Sequence, residues 1–138
     1  MLPKNQIFHF DTFRDARGSL CVCESNMDFQ IRRVFWINNV PKGERRGKHA
    51  SVHGNEIIVL TAGSCKIDLH DGVLQHTFLL TNPMSALLIP KMTWRILYAF
   101  SSDCILTVLA DCPYDPSDMI TDFDTFIDVA NYSRTSCI

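Results

Sequence analysis

Residues 45–63 read Arg45-Arg46-Gly47-Lys48-His49-Ala50-Ser51-Val52-His53-Gly54-Asn55-Glu56-Ile57-Ile58-Val59-Leu60-Thr61-Ala62-Gly63. Two short runs, 48–53 and 56–61, flank a Gly54-Asn55 pair, which is how two strands joined by a turn appear in sequence. Side chains two apart on a strand share a face. His49, Ser51 and His53 therefore fall on one side of the first run, and Glu56 opens the second. The stretch collects an imidazole, a hydroxyl and a carboxylate beside an otherwise apolar strand.

The same rhythm extends in both directions. Runs rich in β-branched and aromatic residues recur at 7–10, 19–24, 31–38, 48–53, 56–61, 64–70, 73–80, 85–89, 93–99 and 105–110. Turn residues separate them, and Asp71-Gly72 between two alternating runs predicts a tight hairpin. About ten short strands at near-even spacing predict an all-β sandwich or small barrel. The C-terminal segment departs from this pattern. Met119, Ile120, Phe123, Phe126, Ile127 and Ala130 recur at helical spacing after Pro116-Ser117-Asp118. This predicts one short helix over about 117–131, capped by Ser117 or Asp118, with a loose tail at 133–138. No repeat or linker interrupts the chain, so residues 1–138 are expected to form a single domain.

Composition narrows the function classes. The 138 residues are 46% hydrophobic and 20% charged, with a formal net charge of −2. That balance is ordinary for a globular protein and points to neither a nucleic-acid nor a membrane partner. Met1-Leu2-Pro3-Lys4-Asn5 is not followed by the apolar run of a secretion signal, and no segment has the length of a membrane span, so a cytoplasmic location is expected. The six cysteines are then expected to be reduced and structural. Cys65 and Cys104 sit in apolar runs, and Cys137 is the natural candidate for a surface thiol.

The 45–63 stretch resembles the first signature of the cupins, whose double-stranded β-helix is a jelly-roll barrel. In a metal-binding cupin two histidines on one strand, a glutamate on the next and a histidine on a later strand meet inside the barrel. His49 and Glu56 match. Ser51 stands at the second histidine, and Arg95, in Pro90-Lys91-Met92-Thr93-Trp94-Arg95, stands at the third. Arginine is always cationic and cannot ligate a metal, so neither metal nor cofactor is expected. A metal-free site remains open. His49 would be a general base near neutral pH, with Glu56 orienting it or acting as an acid. Arg46 and Arg95 would pair with an anionic ligand. Each residue also has a plainer reading. His49 could be structural, Arg46 a solvated turn residue, and Arg95 a buried cation in need of a partner. Trp36 and Trp94 read as core, or as a stacking platform for a base or sugar; core is the safer assignment.

A closer resemblance is carried by several blocks in order. They are Asp15-Ala16-Arg17-Gly18-Ser19-Leu20, Ile31-Arg32-Arg33-Val34, Asn39-Val40-Pro41, Arg46-Gly47-Lys48-His49-Ala50, Ile89-Pro90 with Trp94-Arg95, and Tyr114-Asp115-Pro116-Ser117-Asp118-Met119-Ile120 with Asp122-Phe123-Asp124. In these the chain is similar to the WxcM-like, FdtA-type metal-free cupins that act as dTDP-4-keto-6-deoxyglucose 3,4-ketoisomerases. The resemblance implies a cytoplasmic homodimer holding a dTDP-linked 4-keto-6-deoxysugar in its barrel, and a role in making deoxysugars for surface glycans. It implies that a base takes the C3 proton, an enediol forms, and reprotonation at C4 completes the reaction. It places His49 as that base and Arg33, Arg46, Glu56, Trp94 and Arg95 around the substrate.

The family's second histidine is Ser51 here, and the matching stretches Phe35-Trp36-Ile37-Asn38 and Met84-Ser85-Ala86-Leu87 carry no phenol. Three readings follow. His53, about 7 Å further along the strand, takes over; or His49 alone serves both carbons; or isomerisation is lost and the chain only binds the dTDP-sugar.

Overall fold

The alternating runs become two five-stranded antiparallel sheets that face each other. The computed structural model describes residues 7–9, 11–26, 28–83 and 85–135. In chain order the strands are β1 (Ile7–His9), β2 (Asp11–Asp15), β3 (Gly18–Val22), β4 (Arg33–Asn38), β5 (Arg46–Ser51), β6 (Glu56–Ala62), β7 (Cys65–His70), β8 (Gln75–Leu80), β9 (Ser85–Ile89), β10 (Trp94–Tyr98), β11 (Ile105–Ala110) and β12 (Met119–Ile120); helix α1 covers Phe123–Thr135. One sheet runs β1-β9-β6-β11-β4 and the other β12-β5-β10-β7-β8, with β2 and β3 forming a separate hairpin. The result is an all-β barrel with one C-terminal helix, within what the strand count predicted, and of the jelly-roll kind that the cupin resemblance implied.

The barrel is filled at one end and open at the other. Ile58, Leu60, Leu87, Leu106 and Val108 from the first sheet interdigitate with Cys65, Ile67, Leu69, Leu80 and Leu97 from the second, all at most 3% exposed. Toward the opposite end the inward positions turn polar: Arg33 on β4, His49 and Ser51 on β5, Glu56 on β6 and Arg95 on β10. Beyond β6 the chain turns at Gly63, whose φ of +72° is left-handed; a Cβ there would lie 2.7 Å from the Cys104 backbone. Only glycine fits that turn, which explains its place in the motif.

Helix α1 lies on the outer face of the second sheet. Phe126 and Ala130 pack with Ala50 and Trp94, and Arg134 anchors the helix end by donating to the Asp71 carbonyl at 2.5 Å. Burying Phe126 completely is worth roughly 1.5–3 kcal/mol. No helix among the described residues is long and apolar enough to cross a membrane.

Several expectations need correction. The helix begins at Phe123, not near 117, because Met119 and Ile120 pair with Ser51 and Ala50 as an edge strand. Asp115 caps a single 3-10 turn at Pro116–Asp118, and Asp122 caps the helix, accepting from the Thr125 N–H at 3.0 Å. Residues 133–135 are helical, while 136–138, with Cys137, lie outside the described residues. The Asp71-Gly72 turn is a four-residue loop, since His70 pairs with Gln75, and Val73-Leu74 are not strand. The strand Asp11–Asp15 was not anticipated, its apolar residues being too few to signal it. Cys65 and Cys104 are buried, and the five described cysteines form no disulfide.

Candidate active site

The open end of the barrel holds two adjoining cavities of about 310 Å³ and 360 Å³. Both are lined by Phe35, His49 and Glu56. The first continues along Arg46, Gly47, Arg95 and the apolar wall Ile37, Ile58 and Val108. The second continues along Arg33, Ser51, Tyr114 and Met119.

A bulge in β5 sets the first cavity. His49 pairs with Arg95 and Gly47 with Ile96, leaving Lys48 as an extra residue. Gly47 and Lys48 both take left-handed backbone, with φ of +85° and +56°. A bulge breaks strict alternation, so Arg46, Gly47 and His49 all reach one cavity. For a non-glycine such as Lys48 that conformation costs on the order of 1–3 kcal/mol and tends to occur at functional sites.

The His49 ring is oriented by its own strand. Nδ1 lies 3.1 Å from the Gly47 carbonyl. A carbonyl only accepts, so Nδ1 carries the proton and the Nε2 lone pair is left as the basic site. Burial holds the imidazole below its ordinary value, helped by the positive charges of Arg95 and Arg33 and opposed by the Gly47 carbonyl. His49 is therefore neutral, and a competent base, at neutral pH.

Glu56 provides the counter-charge for two arginines. It pairs directly with Arg95, both side chains being under 10% exposed, and Arg33 Nη2 lies 4.0 Å from its other oxygen. Arg95 also donates from Nη2 to the Thr93 carbonyl at 3.2 Å. Burial pulls this guanidinium down to about 10, so it stays protonated at neutral pH. The Arg33 guanidinium lies between two rings, 4.8 Å from the Phe35 centroid and 5.4 Å from that of Tyr114. The Nε groups of Arg33 and Arg95 are buried and have no hydrogen-bond acceptor among the described residues.

His49, Ser51, Arg33, Arg46, Glu56 and Arg95 are thus brought together as the sequence suggested. His53 is not. β5 ends at Ser51, and the His53 side chain is 82% exposed, with Nδ1 2.6 Å from Asp118. The strand face that was to carry it ends two residues too early. Trp94 also departs from its substrate-binding assignment. It is 7% exposed and stacks edge-on against Phe123 at 5.3 Å, on the helix side of the sheet. Trp36 reverses the core reading, being 66% exposed and on the rim of the first cavity. Tyr114 was not singled out, although it lies in a quoted block; a tyrosine after Pro113 in a polar loop gives no periodic signal that it points into a cavity. Among the described residues no three His, Cys, Asp or Glu side chains converge as a cation site.

Residues 3–131 match the family model described as FdtA: WxcM-like, C-terminal. Over 125 residues the chain is 35% identical to the TDP-4-oxo-6-deoxy-alpha-D-glucose-3,4-oxoisomerase of Aneurinibacillus thermoaerophilus, covering 89% of this chain and 90% of that protein. The crystal structure of WlaRA, a TDP-fucose-3,4-ketoisomerase from Campylobacter jejuni, superposes with a TM-score of 0.86 at 34% identity over 91% of this chain and 95% of that one. A variant of the 3,4-ketoisomerase QdtA from Thermoanaerobacterium thermosaccharolyticum, in complex with TDP-4-keto-6-deoxyglucose, superposes with a TM-score of 0.87 at 31% identity over 91% and 93%.

Proposed function

The chain belongs to the FdtA, WxcM-like family, and on that premise we propose that it is a sugar-nucleotide 3,4-ketoisomerase converting dTDP-4-keto-6-deoxyglucose to a dTDP-3-keto-6-deoxyhexose. The observation that carries the reading is the neutral His49 ring, locked by the Gly47 carbonyl with Nε2 as its free basic nitrogen. The C4 ketone acidifies the neighbouring C3–H. His49 removes that proton, the C3–C4 double bond forms, and charge develops on O4. Arg33 and Arg95 line the two cavities and set positive charge beside the oxygens of the enediolate. Arg46, at the mouth of the cavity, suits the diphosphate. Glu56 keeps the two guanidiniums aimed without itself facing an unpaired charge. The chemistry needs a base, an acid and charge stabilisation, so chelator is expected to leave turnover unchanged.

The test is incubation with dTDP-4-keto-6-deoxyglucose in D₂O, followed by NMR at C3 and C4. Deuterium entry with a new 3-keto sugar is expected, and His49→Asn should lower kcat ~100- to 10,000-fold with dTDP affinity retained. Binding without exchange at C3 would overturn the assignment and leave a protein that only holds the nucleotide sugar.

The working form in this reading is a cytoplasmic homodimer. Its support is an apolar free edge: β4 ends its sheet with Val34 49% and Trp36 66% exposed, and Phe13 and Leu20, cross-strand neighbours on the hairpin, are each 62% exposed. Pairing two copies would cover such an edge. Light scattering at micromolar concentration should give twice the 15.7 kDa chain mass; a monomer would refute it.

A further inference from the structure

We propose that Tyr114 is the second proton-transfer residue, carrying the hydroxyl proton between O3 and O4 that Ser51 is too weakly acidic or basic to carry. The inference rests on the ketoisomerase reading and extends it to a residue outside the histidine motif.

The second cavity limits the candidates. Its polar lining is Arg33, His49, Ser51, Glu56 and Tyr114. His49 is occupied with the carbon-bound proton. Arg33 does not deprotonate in proteins. Glu56 is engaged by Arg95 and flanked by Arg33. An aliphatic hydroxyl such as that of Ser51 lies far from any useful pKa. The phenol of Tyr114 is the remaining group that can both give and take a proton. The Tyr114 hydroxyl makes no hydrogen bond among the described residues, and its ring lies against the Arg33 guanidinium at 5.4 Å. A transient phenolate would form beside a fixed positive charge. The loop bearing it is held in place because the strand that follows pairs Met119 with Ser51. Tyr114 and Ser51 therefore line the same cavity.

The protons balance. His49 takes H3 as the C3–C4 double bond forms and the C4 carbonyl electrons move to O4, which accepts the Tyr114 proton. The phenolate then takes the proton from O3. The O3–H electron pair becomes the C3 carbonyl, and the C3–C4 π pair takes a proton at C4 from protonated His49. Both side chains return to their starting states, and no oxidant or reductant is consumed.

The experiment compares the full-length protein with Tyr114→Phe, alone and combined with Ser51→His, on dTDP-4-keto-6-deoxyglucose. Tyr114 is 65% exposed, so loss of one oxygen should leave the fold intact, checked by circular dichroism and dTDP affinity. Tyr114→Phe should lower kcat about 100-fold or more with KM nearly unchanged, while C3–H exchange in D₂O persists. Adding Ser51→His should restore product formation at least tenfold. Turnover of Tyr114→Phe within threefold of the parent, loss of C3 exchange together with product, or a loss confined to dTDP affinity would each overturn the proposal. A parent protein that neither exchanges nor isomerises would instead remove the ketoisomerase reading beneath it.

Discussion

The base proposed at His49 rests on its surroundings more than on its place in a motif. Burial and two nearby guanidiniums hold its pKa below the ordinary histidine value, and the Gly47 carbonyl fixes the tautomer. The working form is the neutral ring, so activity should be lost as pH falls through this lowered pKa. The acid limb of a kcat/KM profile should therefore have its midpoint below about 6.5, and a midpoint above 7 would contradict the arrangement. Glu56 makes a different prediction. It is the counter-charge of an Arg95 that is 2% exposed. Glu56→Gln strands that cation in the barrel and should cost about 3–5 kcal/mol in urea unfolding, far more than a surface carboxylate would. Both residues were visible in the sequence, because one opens a strand and the other lies on the preceding one. So was the need of Arg95 for a partner, since a charge inside an apolar strand requires one. The core assignment is right for Trp94 and wrong for Trp36. Which face of β4 or β10 meets the helix, and which meets the cavity, depends on what packs outside each sheet, and periodicity along a single strand carries no record of that.

At the scale of elements the bulge in β5 does most to shape the site. Gly47 has a φ of +85°, and a Cβ there would sit 2.9 Å from the Arg95 carbonyl oxygen and 3.1 Å from Arg95 Cγ. The first of those neighbours is backbone and cannot swing aside. Gly47→Ala should therefore displace β5 from β10, costing about 1–3 kcal/mol, and carry His49 with it. A kcat loss of ten- to a hundredfold is expected from a shift of this kind, alongside a lowered melting temperature. A variant that melts lower yet turns over normally would separate the bulge from catalysis. The use of this glycine as one half of a bulge does not show in the sequence, since a bulge is defined by the partner strand. The misplaced helix start has a similar origin. Met119 and Ile120 fit the helical spacing, but the unpaired edge of β5 offers them backbone hydrogen bonds. Tertiary pairing overrode local pattern, and Asp122 took the cap that Ser117 or Asp118 was expected to supply. His53 was lost from the site at the same place. β5 ends where β12 stops pairing, and Asp118 captures the imidazole outside.

Across the whole molecule the two walls of the barrel are chemically unlike, and this bears on the stereochemistry of the reaction. The second sheet presents His49, Ser51 and Arg95. Facing His49 and Arg95 in the first cavity, the other sheet presents Phe35, Ile37, Ile58 and Val108, hydrocarbon that neither takes nor delivers a proton. Arg33 and Glu56 on that sheet are bound into the ion-pair group. A hexose ring lying between the walls meets a base on one face only. The proton that leaves C3 must then return to C4 on the face it left, and part of it should return before exchanging with solvent. In the glucose series the hydrogens on C3 and C4 lie on opposite faces of the ring. Same-face return therefore leaves the C4 hydroxyl axial, in the galactose configuration. With substrate deuterated at C3 and H₂O as solvent, early product should carry measurable deuterium at C4. The small coupling between H4 and H5 of an equatorial H4 should identify its configuration by NMR. A large axial coupling, with no deuterium transferred at any time, would mean that the proton reaching C4 comes from the opposite face, and that a donor other than His49 serves that carbon.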